Sequence, residues 1–493
     1  MRRTLAALTT SLLAAALHAA PSVYPTGTTI YDPAKAWSGY TVFVLPETGA
    51  VLIDMNGNEL KRWDQFAGLG GGPVRMLPGG QVVGAVGALQ PHQESIAVAQ
   101  FDWEGKRVWQ FDHAEQVKTK DGATIWASRQ HHDWQRTDFP SGYYSPEFTP
   151  SGAPVRTLIL AHTNRSVPAV SSQTLEEDVL YEVSPKGEIA WQWHSGDHYD
   201  EFGFSAEARA VIQKGSAFSA GRGSFDALHV NAATWLGPNR WYDAGDQRFN
   251  PDNVMISSRE SSFIAIVARD GKVVWRIGPD YRENGKTEAI GQIIGQHHPH
   301  LIPKGLPGAG NLLVFDNGGT SVYGFANPAA PGGTGAVRRH FSRVLEINPV
   351  TLEKVWEYSM KGQESYRFFS HYVSAAQRLP NGNTLITEGA DGRVFEVTAG
   401  GDIVWEYVSP YFGADAPGTN RVYRAYRLPY AWVPQLQSRR RARSCRRREG
   451  NSGSRRASSS RAPAWRRLPA RAASSRCLRS SCPRACSCRA FDR

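Results

Sequence analysis

Residues 392–405 read GRVFEVTAGGDIVW. Arg393 to Val397 is a short run rich in Val and Phe, the composition of a strand. Gly401 follows in a turn, where it can take a positive φ at no steric cost. Ile403 to Trp405 then returns as a second strand. The stretch is a β-hairpin closed by an indole.

Five similar units precede it. They are Val51–Asp54 leading to Trp63, Val98–Phe101 leading to Trp109, Val179–Val183 leading to Trp191, Phe263–Val267 leading to Trp275, and Val344–Ile347 leading to Trp356. A glycine stands four residues before the tryptophan at Gly105, Gly187, Gly271 and Gly401, Leu352 replaces it in the fifth unit, and the first is offset. Between the units lie further strand–turn–strand signals: Arg75–Gly80 into Gln81–Val83, Leu301–Pro303 before Asn311–Phe315, and Arg378–Asn383 into Thr384–Ile386. Two hairpins make a four-stranded blade. Six such blades predict an all-β chain, a six-bladed β-propeller. The tryptophans are 46, 82, 84, 81 and 49 residues apart, so several blades carry long inter-strand insertions. Sandwiches in tandem are the competing all-β arrangement.

The two ends have a different texture. Arg2 and Arg3 precede an apolar run from Leu5 to Leu17 and the small residues Ala19 and Ala20. Residues 1–20 therefore read as a secretory signal peptide, with export to the periplasm or beyond. Residues 438–493 hold 18 Arg, no Lys and two acids, together with all five cysteines. That segment is expected to be disordered, and its Arg/Ser/Ala/Cys mixture resembles an out-of-frame translation of a GC-rich gene. Without it, 38 basic and 43 acidic residues remain, so the formal charge of +11 becomes −5 for the body. A basic isoelectric point thus gives no reason to expect nucleic-acid binding, and residues 21–437 need no disulfide. No apolar run is long enough for a membrane span. A frame change near Gln437 would threaten the ring's last strand, since the body ends around Arg424–Pro434.

Three histidine clusters stand out: His131-His132-Asp133-Trp134-Gln135, His229-Val230-Asn231 with Ile256-Ser257-Ser258-Arg259, and Gln296-His297-His298-Pro299-His300. Histidines from separate blades could bind zinc. Yet there is no HExxH, carboxylates beside them are sparse, and Arg259 accompanies them, which favours an anion site over a cation site. No metal and no cofactor are expected.

These segments resemble the arylsulfotransferase family of six-bladed propellers. The resemblance rests on HHDWQ at 131–135, HVN at 229–231, ISSR at 256–259, QHHPHLIPKG from Gln296 with NLLVFDNGG from Asn311, QRLPNGNTLI from Gln377 and GRVFEVTAGGDIVWEY from Gly392, and runs from about Tyr40 to Pro434. It implies an aryl-sulfate sulfotransferase that uses no nucleotide sulfate. The nucleophile then falls on His297, with His298 as its local competitor. Supporting roles fall on His132, His229, Asn231 and Arg259, and a hydroxyl contact on Ser370 or Ser374. The partners implied are a phenolic sulfate donor and a phenolic acceptor, with either His132 or His229 as acid and base. Other propeller chemistry, quinoprotein-like or lactonase-like, and a secreted binding propeller are the alternatives.

Overall fold

The computed structural model describes residues 25–437 except 46, 68–71, 89–93, 120–121, 138, 140–141, 149–154, 216–224, 324–333, 361 and 414–418. The expected leader at 1–20 and the expected tail at 438–493 lie outside the described residues. The described chain is a six-bladed β-propeller.

Blade 1 comprises Tyr40–Leu45, Gly49–Ile53 and Glu59–Trp63, with Ala425–Leu428 as its innermost strand. Blade 2 is Val74–Leu77, Gln81–Ala88, Ser95–Phe101 and Arg107–Phe111. Blade 3 is Gln130–Arg136, Thr157–Arg165, Leu175–Val183 and Ile189–His194. Blade 4 is Val230–Trp235, Val254–Ser258, Phe263–Val267 and Val273–Ile277. Blade 5 is His297–Leu301, Leu312–Asp316, Arg343–Ile347 and Lys354–Tyr358. Blade 6 is Ala375–Arg378, Thr384–Glu388, Arg393–Val397 and Ile403–Val408, with Gly27–Tyr31 added at its outer edge. All pairings are antiparallel.

Every tryptophan-closed hairpin expected from the sequence is the outer half of a blade, and the three further strand–turn–strand units are inner halves of blades 2, 5 and 6. The middle strands, such as Phe263–Val267, are buried on both faces because blades stack face to face. That is why they read as continuous apolar runs. The insertions are two hairpins, Ala114–Lys118 with Thr124–Ser128 and Thr320–Tyr323 with Thr334–Arg338, and connections such as the helix Ala206–Lys214. No helix among the described residues is long and apolar enough to cross a membrane. At the fifth turn Leu352 adopts φ +57°, the conformation that Gly401 takes at +92° in the sixth. A side chain there is strained where glycine is not.

The tryptophans tie each blade to the next. Trp63 Nε1 donates to Asp102 O (3.1 Å), Trp275 to Pro349 O (2.8 Å), Trp356 to Ala399 O (2.9 Å) and Trp405 to Met55 O (2.8 Å). Each acceptor lies in the outer turn of the following blade. In blade 3 the reaching indole is Trp193, which donates to Gly271 O at 2.9 Å, and Trp191 instead packs beneath the Arg269 guanidinium. Trp109 of blade 2 lies under Arg136 of blade 3.

The ring closes twice. Gly27–Tyr31 pairs with the last strand of blade 6, and Ala425–Leu428 pairs with Tyr40–Phe43 of blade 1. The closing strand therefore lies upstream of Gln437. Arg427, fully buried on that strand, donates to Thr41 Oγ1 (2.7 Å), Trp37 O (2.8 Å) and Glu396 Oε2 of blade 6 (3.3 Å). Arg427→Met should cost about 3–5 kcal/mol, because it strands a buried carboxylate. Urea unfolding will measure it, and a loss under about 1 kcal/mol would mean that closure does not depend on this ion pair.

Candidate active site

The first strand of each blade faces the axis, and four of them begin in the same unusual way. His132, His229 and His298 have φ of +52°, +50° and +53°, and Val373 and Ser374 have +51° and +88°. The strand register slips at each of the three histidine sites. A bulge at a strand's start re-aims its side chains, and left-handed residues without glycine are costly enough to mark a functional place.

Two of these strands, with the start of the blade 5 strand, bring His132, His229 and His297 together. The His132 and His229 rings meet edge to face, 4.9 Å between centroids. His297 is buried. Its Nδ1 lies 2.8 Å from Asn317 Oδ1 and 3.1 Å from Gly295 O. Asn317 Nδ2 itself donates to Ser370 O (2.7 Å) and Val373 O (3.0 Å), so its oxygen is the atom that faces the imidazole. Both neighbours of Nδ1 are acceptors. His297 therefore carries its proton on Nδ1 and a lone pair on Nε2. Burial, only partly offset by Asn317, with Arg259, Arg424 and His229 opposing a second positive charge, lowers its pKa to about 3. Its imidazole is therefore neutral across the physiological range.

His229 is the opposite case. Asp226 Oδ2 lies 2.6 Å from its Nδ1, and Asp226 Oδ1 accepts its backbone N–H at 2.8 Å. Burial disfavours the charged ring, but the charge and hydrogen bond of Asp226 outweigh it and raise the pKa. His132 is held well below the usual histidine range by burial and then by the neighbouring imidazoles.

Arg259 stands at the start of this cluster. Its backbone N–H donates to His229 O at 3.1 Å, and its guanidinium pairs with Glu260 through Nη1. Asn231 donates through Nδ2 to Gln296 O (2.7 Å), while its Oδ1 has no protein partner. Gln296 in turn bonds Ser257, Ser258 O and Phe263 O, which locks the start of blade 5 onto blade 4.

Ser370 braces its loop. Its Oγ donates to Tyr372 O and accepts from Ala390 N–H, and Ser374 Oγ bonds to it at 2.8 Å. His298 lies apart from His297. Its Nδ1 bonds Ala376 O, and its ring packs against His300 and Tyr426 in a neighbouring group that includes Arg424 and Arg75. Below the site, Asp133 accepts from Arg75 (3.1 Å), Arg424 (3.3 Å) and the backbone N–H of Ala233 (3.3 Å), gathering strands of four blades at one carboxylate.

Two groups bring three ligating atoms within 4.8 Å: His131, His162 and Asp178, and Glu94, His162 and Glu176. The second already holds a cation, since Arg129 Nη1 lies 3.4 Å from Glu94 and 3.7 Å from Glu176. In the first, the two imidazoles stack at 3.6 Å with 15° between planes. An ion between their Nε2 atoms would stand out of both planes, whereas imidazole lone pairs lie in the plane. This geometry suits a hydrogen-bonding cluster rather than a metal centre.

Asp226 and Asn317 are the partners that sequence reading missed. Asp226 lies three residues before His229, and Asn317 lies inside the NLLVFDNGG motif without a role being assigned to it.

Among solved structures, the chain is similar to a protein of unknown function from Bacteroides caccae (11% identity, TM-score 0.39, 79% of this chain and 98% of that one). It is also similar to virginiamycin B lyase from Staphylococcus aureus (10%, 0.29, 70% and 71%) and to a putative 6-phosphogluconolactonase from Bacteroides fragilis (10%, 0.33, 80% and 100%). These are distant, and nothing about substrates passes from them to this chain. No curated protein matches it. The arylsulfotransferase family model matches residues 95–410, which is narrower than the span of resemblance expected from the motifs but includes His132, His229, Asn231, Arg259, His297 and Ser370. With its model spanning most of the propeller and every histidine of the cluster, the chain belongs to the arylsulfotransferase family.

Proposed function

We propose that this propeller transfers a sulfuryl group from an aryl sulfate to a phenol, without a nucleotide donor, by way of a sulfurylated His297. The observation that carries the reading is the pairing of His297 with Asn317, which leaves a neutral Nε2 lone pair in the same cluster as a histidine whose pKa Asp226 raises. Neutral nucleophile and cationic acid side by side are what two-step group transfer needs.

In the first half-reaction, His297 Nε2 forms a bond to sulfur as the bond from sulfur to the phenolic oxygen breaks. His229 gives its proton to the departing phenolate. In the second half, His229 takes the proton of the acceptor phenol, whose oxygen displaces His297 from sulfur. His297 returns to its neutral form and His229 to its charged one. By analogy with phosphoryl transfer, the transition state is loose and charge collects on the sulfuryl oxygens. On this reading Arg259, Asn231 and His132 supply hydrogen-bond donors to those oxygens. His229 takes the acid–base role in preference to His132 because it alone of the two has a carboxylate on its Nδ1.

Two experiments test this. With 4-nitrophenyl sulfate and a second phenol, wild type should release nitrophenol and sulfate the acceptor with ping-pong kinetics. His297→Ala should stay folded and lose roughly 10³-fold or more in turnover; near-normal turnover in that variant removes the nucleophile assignment.

The pH dependence follows from signs. Loss of nitrophenol needs protonated His229, so the rate of the first half-reaction is full at low pH and falls as pH rises through that raised pKa. Asp226→Asn removes the group that raises it, so the falling limb moves to lower pH. His297, with a pKa of about 3, adds no acid limb above pH 5. An unmoved alkaline limb in Asp226→Asn, measured in single-turnover bursts, would assign the proton to another group.

A further inference from the structure

Behind His132 lies a buried group that the proposed transfer does not use. His131 Nδ1 and His132 Nδ1 are 2.7 Å apart. On its far side, His131 Nε2 lies 3.5 Å from Asp178 Oδ1, and neither atom has a hydrogen-bond partner. Asp178 Oδ2 accepts the Val230 N–H at 3.1 Å. The His131 ring stacks on His162, whose Nδ1 is 3.0 Å from Glu94. His131, His162 and Asp178 are essentially inaccessible to solvent.

A bond between two ring nitrogens needs one N–H and one lone pair. If His131 donates, His132 accepts on Nδ1 and keeps its own proton on Nε2. His131 Nε2 is then bare, and Asp178 must carry a proton to meet it. If His132 donates, its Nε2 is bare and Asp178 is ionised. The surroundings decide between the two. No lysine or arginine pairs with Asp178 among the described residues, and the nearby Asp226 is already spent on His229. Burial and then the charge of Asp226 hold Asp178 well above the usual carboxyl range. When two carboxyls lie near each other, the ionised one disfavours ionising the other.

We infer that Asp178 and His131 are positioning residues that hold His132 in its Nε2–H form, so that it offers a hydrogen-bond donor, and not a base, to the sulfuryl group. This rests on the proposed sulfuryl transfer for its consequence, but the protonation pattern is a property of the resting protein. No covalent step is involved: Asp178 O–H points at His131 Nε2, and His131 Nδ1–H points at His132 Nδ1.

The test uses substitutions that copy or delete this pattern. Asparagine at 178 has an N–H where the protonated carboxyl has its O–H and a carbonyl for Val230. Asp178→Asn should therefore keep kcat within about threefold of wild type, and Asp178→Leu should not. His131→Asn can still donate to His132, whereas His131→Leu cannot. The leucine variant should lose about 100-fold in kcat, comparable to losing one transition-state donor, with the donor KM little changed, and the asparagine variant should recover most of it. Independently of turnover, nitrogen NMR of histidine-labelled protein should show His132 protonated on Nε2 in wild type and in Asp178→Asn. A His132 signal from the Nδ1–H form, or a folded Asp178→Asn that has lost activity, overturns the inference. Absence of sulfuryl transfer in wild type would instead defeat the functional reading and leave the NMR result to stand alone.

Discussion

The indole N–H of Trp405 donates to Met55 O, and through it the sixth blade is fastened to the first. A propeller is a cyclic stack whose blades bury their faces only against neighbours, so an open ring leaves two apolar faces in water. The same donor recurs at Trp63, Trp193, Trp275 and Trp356, each reaching the outer turn of the next blade. The outer rim thereby fixes the angle between blades. At the inner end, Asp133 does the corresponding work with Arg75, Arg424 and Ala233. The histidine cluster sits above that carboxylate, and its spacing is set by these two levels of contact.

Within that frame the histidines differ by environment and not by type. His297 is neutral because it is buried and bonded to an amide oxygen. His229 has its pKa raised because a carboxylate stands against it. The contrast is the general means by which one site keeps two like groups in different protonation states at the same pH. The left-handed backbone at His132, His229 and His298 has a cost of order 1–3 kcal/mol each. The surrounding blades offset it, and the return is a set of rings pointed at one another from separate strands.

Much of this was legible in the sequence. The six hairpins, their tryptophans and most of the turn glycines announce the blades, because strand alternation and turn chemistry are local. The motifs around His131, His229 and His297 marked three strands that the fold brings together, for the same reason. What could not be read is what depends on contacts that only the folded backbone makes, even between strands of one blade. Asp226 and Asn317 are ordinary polar residues until a fold puts them beside an imidazole. His162 and Asp178 stand in the strands TLILAHTNR and LEEDVLYEV, where nothing local marks them. Trp193 could not be separated from Trp191, because two residues on the same strand face share the same periodicity. Leu352 takes a glycine conformation that its identity argues against.

The two-ended closure sets the order of events during synthesis. Gly27–Tyr31 is among the first structured segments to leave the ribosome, yet its partner, Ile403–Val408, emerges nearly four hundred residues later. The inner strand of blade 1 arrives later still. Until then, blade 1 exposes the bare edge of Tyr40–Leu45 and the growing stack exposes an uncovered face, both of which invite pairing with other nascent chains. The last short segment of the body is thus a latch, and even a chain that stops just before it carries all the other strands and no closed ring.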